Sequence, residues 1–166
     1  FDHTLLSIHT HGKWSRSAGE LSLYIRPLFK SLVPALLRAD IVVAIVTFSP
    51  QVKLIERVLN VAFSRAQIEK NMFVCGSRGD LLSPRCKNSW SPTREGKSRH
   101  IESVVKRYSA ALPHMESPKP NEILLIDDDK NNVDTSRMTG VKSLWFRPTV
   151  GEIACETLLL EGLMAV

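Results

Sequence analysis

Two stretches stand out along the chain as uninterrupted apolar runs that stop abruptly at polar residues, "DIVVAIVTFS" at 40–49 and "NEILLIDDD" at 121–129. Runs of β-branched and aliphatic side chains with this profile suit strands covered on both faces, as in a parallel sheet sheathed by helices. "NMFVCG" (71–76) and "VKSLWF" (141–146) are shorter runs of the same kind, and "TLLSI" near the start reads as the tail of a fifth strand. Between them the pattern turns helical, over Pro27 to Arg38 with a disturbance at Pro34, Gln51 to Phe63, Ser98 to Ala111, and Asn131 to Met138 closed by Gly140. Ile101, Val104, Val105, Tyr108 and Leu112 keep one helical face, and Thr149 with Glu152 has the capping-box spacing that opens a last helix.

The alternation of strand and helix predicts an α/β fold, a three-layer α/β/α arrangement around a mostly parallel sheet. A chain of 166 residues suits one such domain, 1–166, and is short for two. Its 43% hydrophobic and 23% charged residues exclude a disordered chain. The longest apolar run, "IVVAIV" at 41–46, is too short to span a membrane.

One stretch departs from the rhythm. "GSRGDLLSPRCKNSWSPTREGK" (76–97) is rich in Gly, Pro, Ser and basic residues, and it follows a predicted strand. It should emerge at the carboxyl end of the sheet, where α/β folds bind ligands. A net charge of +5 and a pI near 9.3 suit an anionic partner, although basic residues spread over the whole chain equally suit plain solubility. Cys75, Cys86 and Cys155 form an odd set without metal-ligand spacing, which points to a reducing compartment, cytoplasmic or nuclear.

The polar residues at the predicted carboxyl ends, in chain order, are Asp2 and Thr4, Thr47, Lys97 ahead of a helix, then Asp127 and Asp128 with Asn132. In an open parallel sheet these positions converge on one crevice. Carboxylates hold a hard divalent cation, a hydroxyl and an ammonium hold phosphoryl oxygens, and a further acid protonates a leaving oxygen, so the set matches phosphoryl transfer. Each residue also has a plain structural reading: Thr47 as a strand end, Lys97 as a solvated lysine, Asp127 to Asp129 as a polar loop with a helix-capping acid. Their order and combination favour chemistry for Thr47, Lys97 and Asp128, and leave Asp129 facing solvent.

His3, His9, His11, His100 and His114 have no cysteine or carboxylate near them at the spacing of a zinc site. Trp14, Trp90 and Trp145 lack the basic–aromatic alternation of a base-stacking surface, so they read as packing or loop anchors and nucleic acid is not indicated.

Taken together, "FDHTLLS", "IVTFS", "GKSRHI" and "LLIDDDKNN" resemble the four ordered motifs of the haloacid dehalogenase superfamily, over Phe1 to about Phe146. The resemblance implies a Rossmann-like core and a magnesium-dependent phosphatase working through an aspartyl-phosphate intermediate. The family's first motif is Asp-x-Asp-x-Thr. Matching Thr4-Leu5-Leu6 to its end makes Asp2 the second Asp, the general acid and base, and puts the nucleophile one position before Phe1. The other alignment makes Asp2 the nucleophile and Thr4 the residue two positions on; we prefer the first. By the same resemblance Thr47 and Ser49 contact phosphoryl oxygens, and Lys97 neutralises charge. Magnesium is held by the nucleophile, the backbone carbonyl of Asp2, and Asp128, with Asp127 as a second or outer ligand and Asn132 behind it. Receiver domains share these residue types, but their acidic pair comes first in the chain and here it comes last.

The gaps between motifs leave no room for a large cap domain, and capless members of this superfamily often act on macromolecules. "YIRPLF" also resembles a stretch of the carboxy-terminal-domain phosphatases. The expected substrate is therefore a phosphorylated protein or another bulky phosphate ester, with Arg78, Arg85, Lys87 and Arg94 binding its anionic parts and no membrane involved. The competing expectation is a catalytically inactive module of this fold that binds a partner, and it would hold if no Asp precedes Phe1.

Overall fold

The computed structural model describes residues 1–63, 68, 71–76 and 95–147. The chain begins in turns. Thr4 N–H donates to the Asp2 carbonyl at 2.7 Å and Leu6 N–H to the Phe1 carbonyl at 3.0 Å, which reverses the chain where a strand tail was expected. Leu6 makes an isolated antiparallel bridge to Ile25, and Leu5 and Leu6 are buried. The apolar pair thus recorded burial beneath a turn and not an extended run.

Helix α1 (Ala18–Ser22) is short and was not expected from periodicity, yet it opens on a capping box between Ser17 and Glu20. Helix α2 (Pro27–Arg38) starts on Pro27 and runs unbroken through Pro34. An internal proline removes one backbone donor, but Phe29, Val33 and Leu37, spaced by four, bury the same face on both sides of it and hold the helix together.

Strand β1 (Val43–Val46) leads into α3 (Val52–Ala62), one residue inside the expected limits at each end, and then into β2 (Met72–Cys75). β1 and β2 pair in parallel, from Val43 opposite Met72 to Val46 opposite Cys75. Helix α4 (Ser98–Ala111) follows as expected. A single 3₁₀ turn, Pro120–Glu122, precedes β3 (Leu124–Asp127), α5 (Lys130–Met138) and β4 (Lys142–Trp145). β3 and β4 form a second parallel pair, from Leu124 opposite Lys142 to Asp127 opposite Trp145. Helix α5 stops in a Schellman arrangement, with Gly140 N–H on the Arg137 carbonyl at 3.0 Å and Val141 N–H on the Ser136 carbonyl at 3.2 Å.

The described residues therefore form a mixed α/β fold of short parallel strands and five α-helices. A larger apolar cluster joins Leu5, Leu6, α1, α2 and α3 to Ile45, Val74 and Phe146, and a smaller one joins Ile101, Leu125 and Val141. Neighbouring strand residues serve different clusters: Ile45 lies in the larger and Val46 packs on the smaller, while Leu125 and Ile126 do the reverse. That is the period-two geometry of a strand with apolar contacts on both faces. No helix among the described residues is long and apolar enough to cross a membrane. The expected last helix at Thr149 and Glu152 lies outside the described residues.

Candidate functional site

The carboxyl ends of β1 and β3, the N-terminus of α4 and the first turns of the chain meet around Lys97. At β3, Asp127 is buried, and its Oδ1 accepts Asn132 Nδ2–H and the Asp129 backbone N–H, both at 2.9 Å. Asp129, exposed, caps α5 by accepting Asn131 N–H at 2.8 Å, the plain role its position allowed. Asp128 Oδ1 accepts the hydroxyl of buried Thr4 at 2.6 Å, across 124 residues of sequence. The Asp128 carbonyl accepts Trp145 Nε1–H at 3.0 Å, so Trp145 anchors this loop.

At β1, Thr47 and Ser49 are both buried. Thr47 N–H donates to the Cys75 carbonyl at 2.9 Å, continuing the β1–β2 ladder, and Thr47 Oγ1 accepts Ser49 N–H at 3.1 Å.

Lys97 precedes α4 and is 4% exposed. Gly96 puts it there: its φ is +50°, and an added Cβ would lie 2.5 Å from Thr135 Oγ1 and 3.2 Å from the Asn132 Cα. Only a residue without a side chain lets the start of α4 approach α5 this closely. Burial lowers the Lys97 pKa to about 8, against the opposing pull of Asp127, Asp128, Asp129 and Asp2. Its ammonium sits 3.8 Å from the centre of the Phe48 ring, a cation–π contact in a dry setting. His100 meets the same ring edge-on at 5.1 Å and is fully buried. Burial, then the Lys97 charge, lower its pKa to about 4, with the Thr47 backbone pulling the other way, so His100 is neutral at pH 7.

Asp2 lies close enough to this group to act on the Lys97 charge. Its carboxylate, however, turns toward the first loop: both oxygens accept the Thr10 hydroxyl at 3.0 Å, and His9 Nδ1 stands 3.5 Å from Oδ2. The Phe1 backbone nitrogen is buried among the same charges.

The structure thus brings together Asp2, Thr4, Thr47, Ser49, Lys97, Asp127, Asp128 and Asn132. Arg78, Arg85, Lys87 and Arg94, and with them the anion-binding loop expected from them, lie outside the described residues. Thr10, Phe48, His100 and Trp145 join the site without having been singled out for it. Phe48 follows Thr47 directly and His100 stands one helical turn after Lys97, the only sequence signals they offered. No group of three His, Cys, Asp or Glu residues able to hold a metal ion occurs among the described residues. Neither a scan against protein-family models nor searches of curated proteins and solved structures returns a significant match.

Proposed function

We propose that the protein is a magnesium-dependent phosphatase built on a three-layer haloacid-dehalogenase-like core, acting on a phosphorylated protein or another bulky phosphate ester inside the cell. One observation supports it above the others: the buried Lys97 ammonium lies amid Asp127, Asp128 and Asp2, at the carboxyl ends of parallel strands, within the group that includes the Thr47 and Ser49 hydroxyls. A buried cation beside hydroxyl donors is suited to a phosphoryl group, whose charge it offsets where water cannot.

The oxygen-only donors Asp127 and Asp128 fit a hard divalent cation in kind. They do not complete a site by themselves, since no metal-holding group of three is present among the described residues. A carboxylate at the position before Phe1 would attach to the backbone nitrogen that lies buried beside Lys97, Asp127 and Asp128, and would supply the missing ligand. Magnesium would be held by that carboxylate, the Asp2 carbonyl and Asp128, and when bound it would offset charge on the phosphoryl oxygens.

In this scheme the preceding Asp attacks phosphorus and the ester oxygen leaves, taking a proton from Asp2; water then attacks the aspartyl-phosphate and gives a proton back to Asp2, releasing inorganic phosphate. Thr47 donates to a phosphoryl oxygen, and Lys97 offsets its charge. Between Asp2 and β1 the chain forms turns, the Leu6–Ile25 bridge, α1 and α2, which leaves little room for a large cap domain there and suits a large substrate.

The second reading is a partner-binding module of the same fold without turnover. It draws on the orientation of Asp2, whose carboxylate is occupied by Thr10 and faces His9. The test is magnesium-dependent hydrolysis of an aryl phosphate by the native chain carrying its residue before Phe1. Hydrolysis abolished by Asp2→Asn and by Asp128→Asn supports the phosphatase. Activity indifferent to both substitutions refutes the assigned site, and a residue other than Asp before Phe1 with no hydrolysis favours the binding module.

A further inference from the structure

We infer that Thr10 and Gln51 are positioning residues that fix Asp2 relative to Thr47, by latching the first loop of the chain onto the start of α3. The inference deepens the phosphatase proposal and rests on it for its catalytic meaning. Thr10 is 8% exposed, and its single hydroxyl proton is committed to the Asp2 carboxylate, 3.0 Å from each oxygen. The same oxygen accepts Gly12 N–H at 3.3 Å, which sets the direction of the hydroxyl.

The turn that carries Thr10 has positive φ at His11 and at Gly12. Gly12 lies against the loop that follows Thr47, where an added Cβ would stand 2.9 Å from Pro50 Cδ. Glycine is required there by both the angle and the contact. Gln51, directly after Pro50, binds both backbone groups of Trp14, two residues after Gly12. Its Oε1 accepts Trp14 N–H at 2.9 Å, and its Nε2 donates to the Trp14 carbonyl at 2.9 Å. Gln51 N–H in turn donates to Ser49 Oγ at 3.2 Å, and Ser49 N–H to Thr47 Oγ1 at 3.1 Å.

Hydrogen bonds and short stretches of backbone therefore run from Asp2 through Thr10, the 10–14 turn, Trp14, Gln51 and Ser49 to Thr47. Residues 45 positions apart in sequence are held in one frame, without either loop belonging to a regular element. Pre-set placement of the proton donor relative to the phosphoryl-binding hydroxyl is the kind of geometry on which turnover depends steeply.

The experiment uses the native chain with its residue before Phe1, and the substitutions Gln51→Ala, Gln51→Glu, Thr10→Val and Thr10→Ser. Amide hydrogen exchange by NMR reads the latch directly. Gln51→Ala should speed exchange at both Trp14 and Gly12 by about tenfold or more, whereas Thr10→Ser, which keeps the hydroxyl, should leave Gly12 near its wild-type rate. Unchanged exchange at Gly12 in Gln51→Ala overturns the inference. On an aryl phosphate with magnesium, Gln51→Ala and Thr10→Val should lower kcat about tenfold with KM held within about twofold, and Thr10→Ser and Gln51→Glu should recover part of it. Wild-type kcat in Gln51→Ala also overturns it. If the wild-type chain hydrolyses nothing, the phosphatase proposal fails while the exchange arm still decides whether the latch exists.

Discussion

The site has two acidic corners that differ in how they are built. At the β3–α5 corner, Asp127 and Asp129 find their partners within five residues, at Asn132, at the Asp129 amide and at the Asn131 amide. At the other corner, Asp2 depends on Thr10 from a loop of positive-φ residues, and Thr4 reaches Asp128 across 124 positions. The first corner forms whenever β3 runs into α5. The second exists only once the chain start, the loop after β1 and the end of β3 have been brought together. A site assembled this way pairs a locally determined anion cluster with an acid whose placement depends on the whole fold.

The largest effect should come from removing the carboxylate function at either corner. Under the phosphatase proposal, Asp2→Asn and Asp128→Asn should each lower the kcat/KM for a magnesium-supported aryl phosphate by about a thousandfold, the scale of losing a general acid or a charge clamp. If Asp2→Asn costs less than about tenfold while Asp128→Asn is inactive, the corners are not partners in one reaction.

Lys97, lying between the corners, ties function to stability. Its folded pKa of about 8 lies below the unfolded value of 10.5, so the folded state gives up its proton first. Stability should accordingly rise between about pH 8 and pH 10.5, by roughly 3 kcal/mol over the window, because there the unfolded chain binds the extra proton. Urea denaturation across that range checks the slope, and Lys97→Met should flatten it and be more stable than wild type at pH 7. Under the phosphatase proposal, the same pKa predicts that kcat/KM falls as the pH rises through about 8, where the ammonium is lost.

The local corner should break harder than the long-range contact when each loses one partner. Asp127→Ala leaves the buried Asn132 amide and the Asp129 N–H without their acceptor, at a cost of about 1–3 kcal/mol. Thr4→Val removes one hydrogen bond to a half-buried Asp128 and should cost about 1 kcal/mol. Equal denaturation midpoints for the two variants would remove the distinction between the corners. Asp129→Ala, which deletes the α5 cap, should cost about 1 kcal/mol and, under the phosphatase proposal, leave hydrolysis nearly unchanged, because that carboxylate serves the helix start.

The parts legible in the sequence were those whose cause lies within a few residues. The β1 and β3 runs, the α4 span and the Gly140 stop are local matters of apolar periodicity and capping, and they agree with the structure within a residue or a few at each end. The failures have the same logic in reverse. Pro34 was expected to disturb α2, but Phe29, Val33 and Leu37 pack on both sides of it. "TLLSI" was expected to be the tail of a strand, but its two leucines are buried at a chain reversal closed by the Thr4–Asp2 and Leu6–Phe1 backbone hydrogen bonds, with Leu6 bridged to Ile25. Helix α1 spans five residues, too few for a periodic signal.

By itself the sequence determined the alternation of strands and helices and the placement of Thr47, Lys97 and the Asp127–Asn132 group at element ends, because strand runs, helix starts and caps are set by nearest neighbours. Only the tertiary structure decided that Thr4 meets Asp128, that Phe48 contacts both Lys97 and His100, that Thr10 meets Asp2 and that Gln51 meets Trp14. Those contacts join segments far apart in the chain. They exist because burial and close packing set distances that no residue spacing encodes.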